Sequence, residues 1–381
     1  MGNKERQIGP CRRTVLKTIS TGIVATGIPS IASAKEEPSK IEIRRSLENP
    51  IPLDAALKKR RAYIKTWKSK NRNSDKVKSH VSLSKPQFGP NSSIFSYDFE
   101  LLEDGTPIEY FGTLTDGSTE KTAMTEEVTV NAQGEDSTDK KAIEYLHDRA
   151  SKRFEENRSS VVGESNSVST RSSPSEWSDW ETRGSVGDTD IDKPHGTWEW
   201  DVSHKSDPSD DSVHSVKTDL EMMAGANKPS WSDDWQNSKS RIRQIWDKRV
   251  NADMFDHFPK NKMDERMSRS VNLGASGGDL TAGVKFTYSQ PAVDVIDQSR
   301  PHGDENGDWR LEVKKGTDQA RTNTYYNPSS IAEIDASKAK EEDSTICSVH
   351  LDVTWVKDNS IFPDDKYDTG RGYSLKWSGM K

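Results

Sequence analysis

CSVHLDVTW, residues 347–355, alternates without a fault: Cys347, Val349, Leu351, Val353 and Trp355 fall on one side of an extended chain, and Ser348, His350, Asp352 and Thr354 on the other. A period of two with one apolar side marks a half-buried β-strand. The same rhythm recurs in Trp198, Trp200 and Val202, in Val284, Phe286 and Tyr288, in Trp309, Leu311 and Val313, and in Tyr373, Leu375 and Trp377. Residues 177–381 therefore read as a mainly β domain, an antiparallel sandwich or jelly roll with long polar loops. One helix is expected to interrupt it from Asp233 to about Val250, with Trp235, Ile242, Ile245 and Trp246 as its apolar face. Ten of the eleven tryptophans lie in this part, either filling a sandwich core or forming a sugar-stacking platform.

Upstream, residues 159–176 are rich in serine and poor in bulk, a composition that buries too little surface to offset its ordering entropy, and they read as a linker. Residues 91–158 read as a small α+β domain. Phe95, Tyr97, Phe99 and Leu101 alternate before Glu103-Asp104-Gly105, and Ile108, Tyr110 and Leu114 alternate after it, as in a hairpin. From Thr138 to Asn157 the period lengthens, and Ile143, Leu146, Ala150 and Phe154 make a helical stripe. An exposed linker is also a natural cleavage site, so residues 35–160 are either a permanent part of the protein or a propeptide. Residues 35–90 are charged and partly helical, with Leu53, Leu57, Ile64 and Trp67 near one face and Asp54 at the expected start. Eight cations and no acid stand between Lys58 and Arg72, which suits either a solvated helix docked on the acidic remainder or one that lies on a membrane.

The first 34 residues read as an address. Arg12 and Arg13 precede a mild apolar run too short and too polar to span a bilayer of roughly 30 Å, and Ala32-Ser33-Ala34 is a small-x-small cleavage pattern. With Thr14, Val15, Leu16 and Lys17 following the pair, the stretch resembles twin-arginine signal peptides, although Cys11 and Val15 replace the usual residues. The resemblance implies recognition of Arg12 and Arg13 by the twin-arginine translocation machinery, cleavage after Ala34 by a signal peptidase, and a secreted or surface-associated product. Loss of residues 1–34 removes five of the 55 cations and one of the 62 acids, leaving a net charge near −11. An acidic, hydrophilic, twin-arginine chain resembles exported proteins of halophilic archaea. That acid excess opposes general nucleic-acid or anionic-membrane binding, since a phosphate-seeking surface needs clustered cations.

Cys347 is the single cysteine that survives processing, so no disulfide forms within the mature chain. Three acidic clusters suggest oxygen ligands for Ca²⁺: Asp188, Asp190 and Asp192; Asp304, Asn306 and Asp308; and Asp364, Asp365 and Asp368. An EF-hand is excluded because Lys193 stands where that loop needs glycine, and Asp304, Asn306 and Asp308 are the best candidates for a cation site of another kind. No His-Glu-x-x-His run and no phosphate-cradling loop is present. Gly274 to Gly278 fits the Gly-x-Ser-x-Gly pattern around Ser276, but the alternating run after it contradicts the helix that a nucleophile elbow requires, and a hairpin turn suffices to explain the glycines. These readings favour an exported, non-enzymatic protein with a β-rich binding or surface-interaction domain. Two alternatives stand beside it: a secreted hydrolase using Ser276, and a membrane-active or antimicrobial protein using residues 268–290 or the basic helix.

Overall fold

In a computed structural model the described residues are 40–71, 80–83, 85–89, 91–116, 135–162, 180–207, 210, 212–227, 234–260, 292–301, 303–339, 344–359 and 363–378. All of them belong to one compact unit, Ser39–Lys381. In chain order the elements are β1 (Ile41–Arg44), α1 (Leu53–Lys70), β2 (His80–Leu83), β3 (Ser92–Leu101), β4 (Pro107–Asp116), α2 (Glu135–Val162), β5 (Glu181–Lys193), β6 (Gly196–Ser206), β7 (Val213–Ala224) and β8 (Trp235–Trp246). They continue with β9 (Asp253–Phe258), β10 (Val293–Asp297), β11 (Asn306–Val313), α3 (Asp318–Arg321), β12 (Asn323–Tyr326), β13 (Ser329–Glu333), α4 (Ala336–Ala339), β14 (Thr345–Lys357) and β15 (Asp365–Ser378). The protein is mainly β, as the alternating runs predict.

Two sheets form. A nine-stranded sheet has the order β1-β3-β4-β5-β6-β7-β13-β9, with β12 also paired to β7. A six-stranded sheet has the order β10-β11-β8-β14-β15-β2. The inner faces of both contribute to one core, in which Trp198, Trp200, Trp246, Trp309 and Trp355 are fully buried. These five tryptophans are core residues and offer no stacking platform to a sugar. Cys347, Val349, Leu351, Val353 and Trp355 all face that core, and Asp352 on the opposite side is exposed.

The hairpin β3–β4 does not stand apart as a separate α+β domain. Its second strand pairs in parallel with β5, so the large sheet runs from the N-terminal part of the chain into the C-terminal part without a break. A parallel pair needs a long crossover, and α2 lies within it. The helix lays Ile143, Leu146, Ala150 and Phe154 on the outer face of the sheet, against Phe95, Ile108, Tyr110 and Ile191. Phe95 belongs to that outer face and Tyr97 and Phe99 to the inner one, because a bulge between Ile94 and Ser96 reverses the alternation of β3. The serine-rich segment expected as a linker lies outside the described residues except at its start, where α2 continues to Val162.

The helix expected from Asp233 to Val250 is a strand. β8 lies in the middle of the small sheet between β11 and β14, and Ser240, Ile242, Gln244 and Trp246 point inward while Arg241, Arg243 and Ile245 point outward. Inward Gln244 is satisfied there, since it accepts from Ser330 Oγ at 2.6 Å and donates toward Thr218 and the carbonyl of Pro328 at 3.4 Å. Only a single short 3-10 turn, Lys248–Val250, remains of the expected helix. Asp54 is likewise not the cap of α1 but sits inside its first turn, after Pro52.

Candidate functional site

The inner face of β5 is lined with carboxylates. Residues 186, 188, 190 and 192 share that face by the period of a strand, which places Asp188, Asp190 and Asp192 in a row inside the sandwich, each almost wholly buried. The sequence suggested an acidic loop here. It is instead the middle of a sheet, and its counter-charge comes from β15, where Arg371, Tyr373 and Leu375 occupy the inner face.

Arg371 is the hub. Its Nε lies 2.6 Å from Asp188 Oδ2, and its Nη2 donates to Asp190 Oδ2 at 3.0 Å and to Thr113 Oγ1 at 2.9 Å. The guanidinium carbon stands 4.3 Å from the ring centre of Phe88 and 5.0 Å from that of Trp198, so aromatic faces cover the plane that the carboxylates leave open. Tyr373 donates to Asp188 at 2.9 Å, Tyr367 donates to Asp192 at 3.2 Å, and Thr115 donates to Asp190 at 3.1 Å. Gly370 on β15 has no room for a side chain, because a Cβ would fall 2.5 Å from the carbonyl of Leu351.

Three carboxylates facing one guanidinium cannot all be ionised cheaply in a dry interior. Burial pushes the Asp188 carboxyl up to about 7 against the pull of Arg371, and pushes Asp192 well above the usual carboxylate range, with Asp190 adding to the rise of both. Arg371 itself is pulled up by the carboxylates around it although burial opposes its charge. The cluster therefore ties the two sheets together, with its guanidinium and all three carboxylates almost wholly buried. Beside it on β4, buried Glu109 accepts from Tyr97 at 2.8 Å and from Arg60 of α1 at 2.7 Å, which fixes the basic helix to the sheet.

Asp304, Asn306 and Asp308 are not brought together. Asp308 is held by Arg241, with contacts of 2.8 and 2.5 Å, while exposed Asp304 faces Arg300 at 3.4 Å and Asn306 opens β11. The side chain that turns inward at this bend is Glu305, which accepts from the backbone of Met254 and of Gly303. In the third cluster Asp364 pairs with Lys315 and Asp368 accepts from Thr354. Among the described residues no group of three or more His, Cys, Asp or Glu side chains is placed to hold a metal ion. Ser276, with Gly274 to Gly278, lies outside the described residues, as do Arg12, Arg13, Ala32 and Ala34.

Residues 261–291 lie outside the described residues. The strand before them, β9, is the edge of the large sheet, and the strand after them, β10, is the edge of the small one. The two edges are joined where the sandwich closes: His257 and Asp297 meet at 3.0 Å, and Trp309 donates to the carbonyl of Pro259 at 3.0 Å. Burial raises Asp297, but hydrogen bonds from His257 and Ser299 outweigh it and hold the carboxyl below the usual range.

Arg371 is the residue that sequence reasoning missed. A signal was available, since it occupies the same alternate position as Tyr373 and Leu375, so an inward arginine demanded a buried acid somewhere in the chain.

No protein-family model matches the chain, and no relative is found among characterised proteins. Solved structures align with about half of the chain. A protein described as "Pore forming protein" is 13% identical over 51% of this chain and 86% of its own, with a TM-score of 0.30. Clostridium perfringens delta-toxin is 11% identical over 52% of this chain and 93% of its own, also at 0.30. The Clostridium perfringens NetB toxin in its membrane-inserted form is 12% identical over 51% and 92%, at 0.24. Among the described residues no helix is long and apolar enough to cross a membrane.

Proposed function

We propose that the mature chain is an exported, non-enzymatic protein that acts at a surface outside the cell, with residues 268–290 as its membrane-active part. The observation that carries this reading is that β9, which precedes residues 261–291 in the chain, and β10, which follows them, are both edge strands and are joined to each other by His257 and Asp297. A chain that departs from one edge strand and returns at another interrupts no central strand of either sheet. Its sequence suits the role: Val284, Phe286 and Tyr288 alternate with polar residues after a glycine-rich turn, so an apolar face is available to lipid and a polar face to a lumen.

The test is release of a trapped dye from lipid vesicles by the processed protein. Release is expected, and replacement of residues 268–290 by a Gly-Ser segment of equal length abolishes it while the tryptophan emission of the sandwich is unchanged. Release that persists in the replaced protein overturns the assignment. Export is tested separately: replacing both Arg12 and Arg13 by lysine is expected to trap the precursor inside the cell, and undiminished secretion removes the twin-arginine reading.

A further inference from the structure

We infer that the outward face of α1 is a docking surface for an anionic phospholipid bilayer. The inference rests on the proposed action at a membrane and names the lipid chemistry, through a part of the chain remote from residues 268–290.

The orientation of α1 is fixed from beneath. Ala56 and Leu57 are buried, Tyr63 packs edge-on against Phe99 with ring centres 5.7 Å apart, and Arg60 reaches down to buried Glu109. What remains outward is a stripe. Lys58, Arg61, Lys65 and Lys68 follow one another at intervals of three and four, so they lie along one side of the helix over about 15 Å. All four are exposed, and among the described residues none of them has an ion-pair partner. Arg61, Lys65 and Lys68, with Ile64 and Ser69, line a shallow depression on that side.

Like charges at these spacings repel, and the single acid of the helix, Asp54 in its first turn, precedes the row and meets Lys85 at 3.3 Å. The repulsion is held in place by contacts on the opposite face. The processed chain is acidic overall, with a net charge near −11, so the attraction is local to this row of cations, and a helical row fits a plane of negative headgroups. Four cations near such a surface multiply binding by about fivefold each, an effect that salt screens.

Co-sedimentation of the full processed chain with vesicles tests the inference, comparing phosphatidylcholine alone with a mixture containing phosphatidylglycerol. Binding is expected to the mixed vesicles and to weaken as salt is raised. The variant with Lys58, Arg61, Lys65 and Lys68 all changed to glutamine is expected to lose it, while a variant with the three lysines changed to arginine keeps it, and both should melt like the parent. Equal binding to both vesicles, or retention by the glutamine variant, overturns the inference. So does binding to duplex DNA in place of vesicles. A protein lacking residues 268–290 that still sediments with anionic vesicles but releases no dye separates this surface from the membrane-active segment.

Discussion

Arg371 Nε and Asp188 Oδ2 lie 2.6 Å apart, and neither side chain reaches solvent. One belongs to the small sheet and the other to the large, so their pairing spans the layer that apolar side chains fill elsewhere. Removing one partner of such a pair leaves a buried charge without compensation, which costs far more than the pair contributes in net stability.

Arg371→Met is therefore expected to lower the unfolding free energy by about 3–5 kcal/mol. Adding Asp188→Asn to that variant should recover part of the loss, because the orphaned carboxylate is then gone. Denaturant unfolding of the single and double variants measures both. A double variant no better than Arg371→Met would place the effect in lost packing against Phe88 and Trp198.

The same cluster sets a pH dependence of unusual sign. An aspartate in the unfolded chain titrates at about 3.9, whereas burial raises folded Asp188 to about 7 and pushes folded Asp192 well above the usual carboxylate range. Between those values the folded protein binds more protons than the unfolded one, so stability is greatest below the unfolded value and declines as pH rises through the folded one. Carboxyls held low, such as Asp297 and Asp247, act in the opposite sense but outside this window. Buried His204, held well below the usual imidazole range, acts in the opposite sense up to about pH 6.5, so the melting temperature is expected to fall above that value at fixed salt, and Asp192→Asn to flatten the fall. An unchanged slope in that variant contradicts the assignment.

Helix α2 is strapped to the sheet by a second set of arginines. Arg149 grips Glu199 through two contacts of 2.5 Å, and Arg153 pairs with Asp201, all beneath the helix on the outer face of β6. Arg149→Met should cost about 3 kcal/mol and lower hydrogen-exchange protection in α2, while the amides of β14 keep theirs. Equal loss in both elements would mean that helix and sandwich unfold as one.

How far the sequence is legible follows from where each charge finds its partner. β14 is readable because its inward side is apolar throughout, and α2 because four apolar residues mark its face. β8 misleads because Ser240 and Gln244 take inward positions, leaving Trp235, Ile242, Ile245 and Trp246 at spacings that imitate a helix. Asp188, Asp190 and Asp192 look like a cation loop because alternate acids are common to loops and strands alike. What distinguishes the two is Arg371, 183 residues downstream of Asp188, and no local window contains both. Arg153 shows the same limit: nothing near it in the sequence marks it as a buried residue, yet it pairs with Asp201, an acid of another element 48 residues on.

Cys347 offers the plainest check on the strand register. Its thiol faces the core beside Trp246 on one neighbouring strand and Leu375 on the other, and it is fully buried. Burial pushes its pKa well above the usual thiol range and Asp247 adds to the rise, so the thiolate that would react is scarce as well as inaccessible. Labelling of the native protein by a thiol reagent is expected to be slow and to become rapid in denaturant. The rate should then track the opening of the small sheet, and be faster in Arg371→Met, where that sheet has lost its tie to the large one. Rapid labelling of the native parent, or a disulfide-linked dimer on a non-reducing gel, would put the thiol outward and shift β14 by one residue against both of its neighbours.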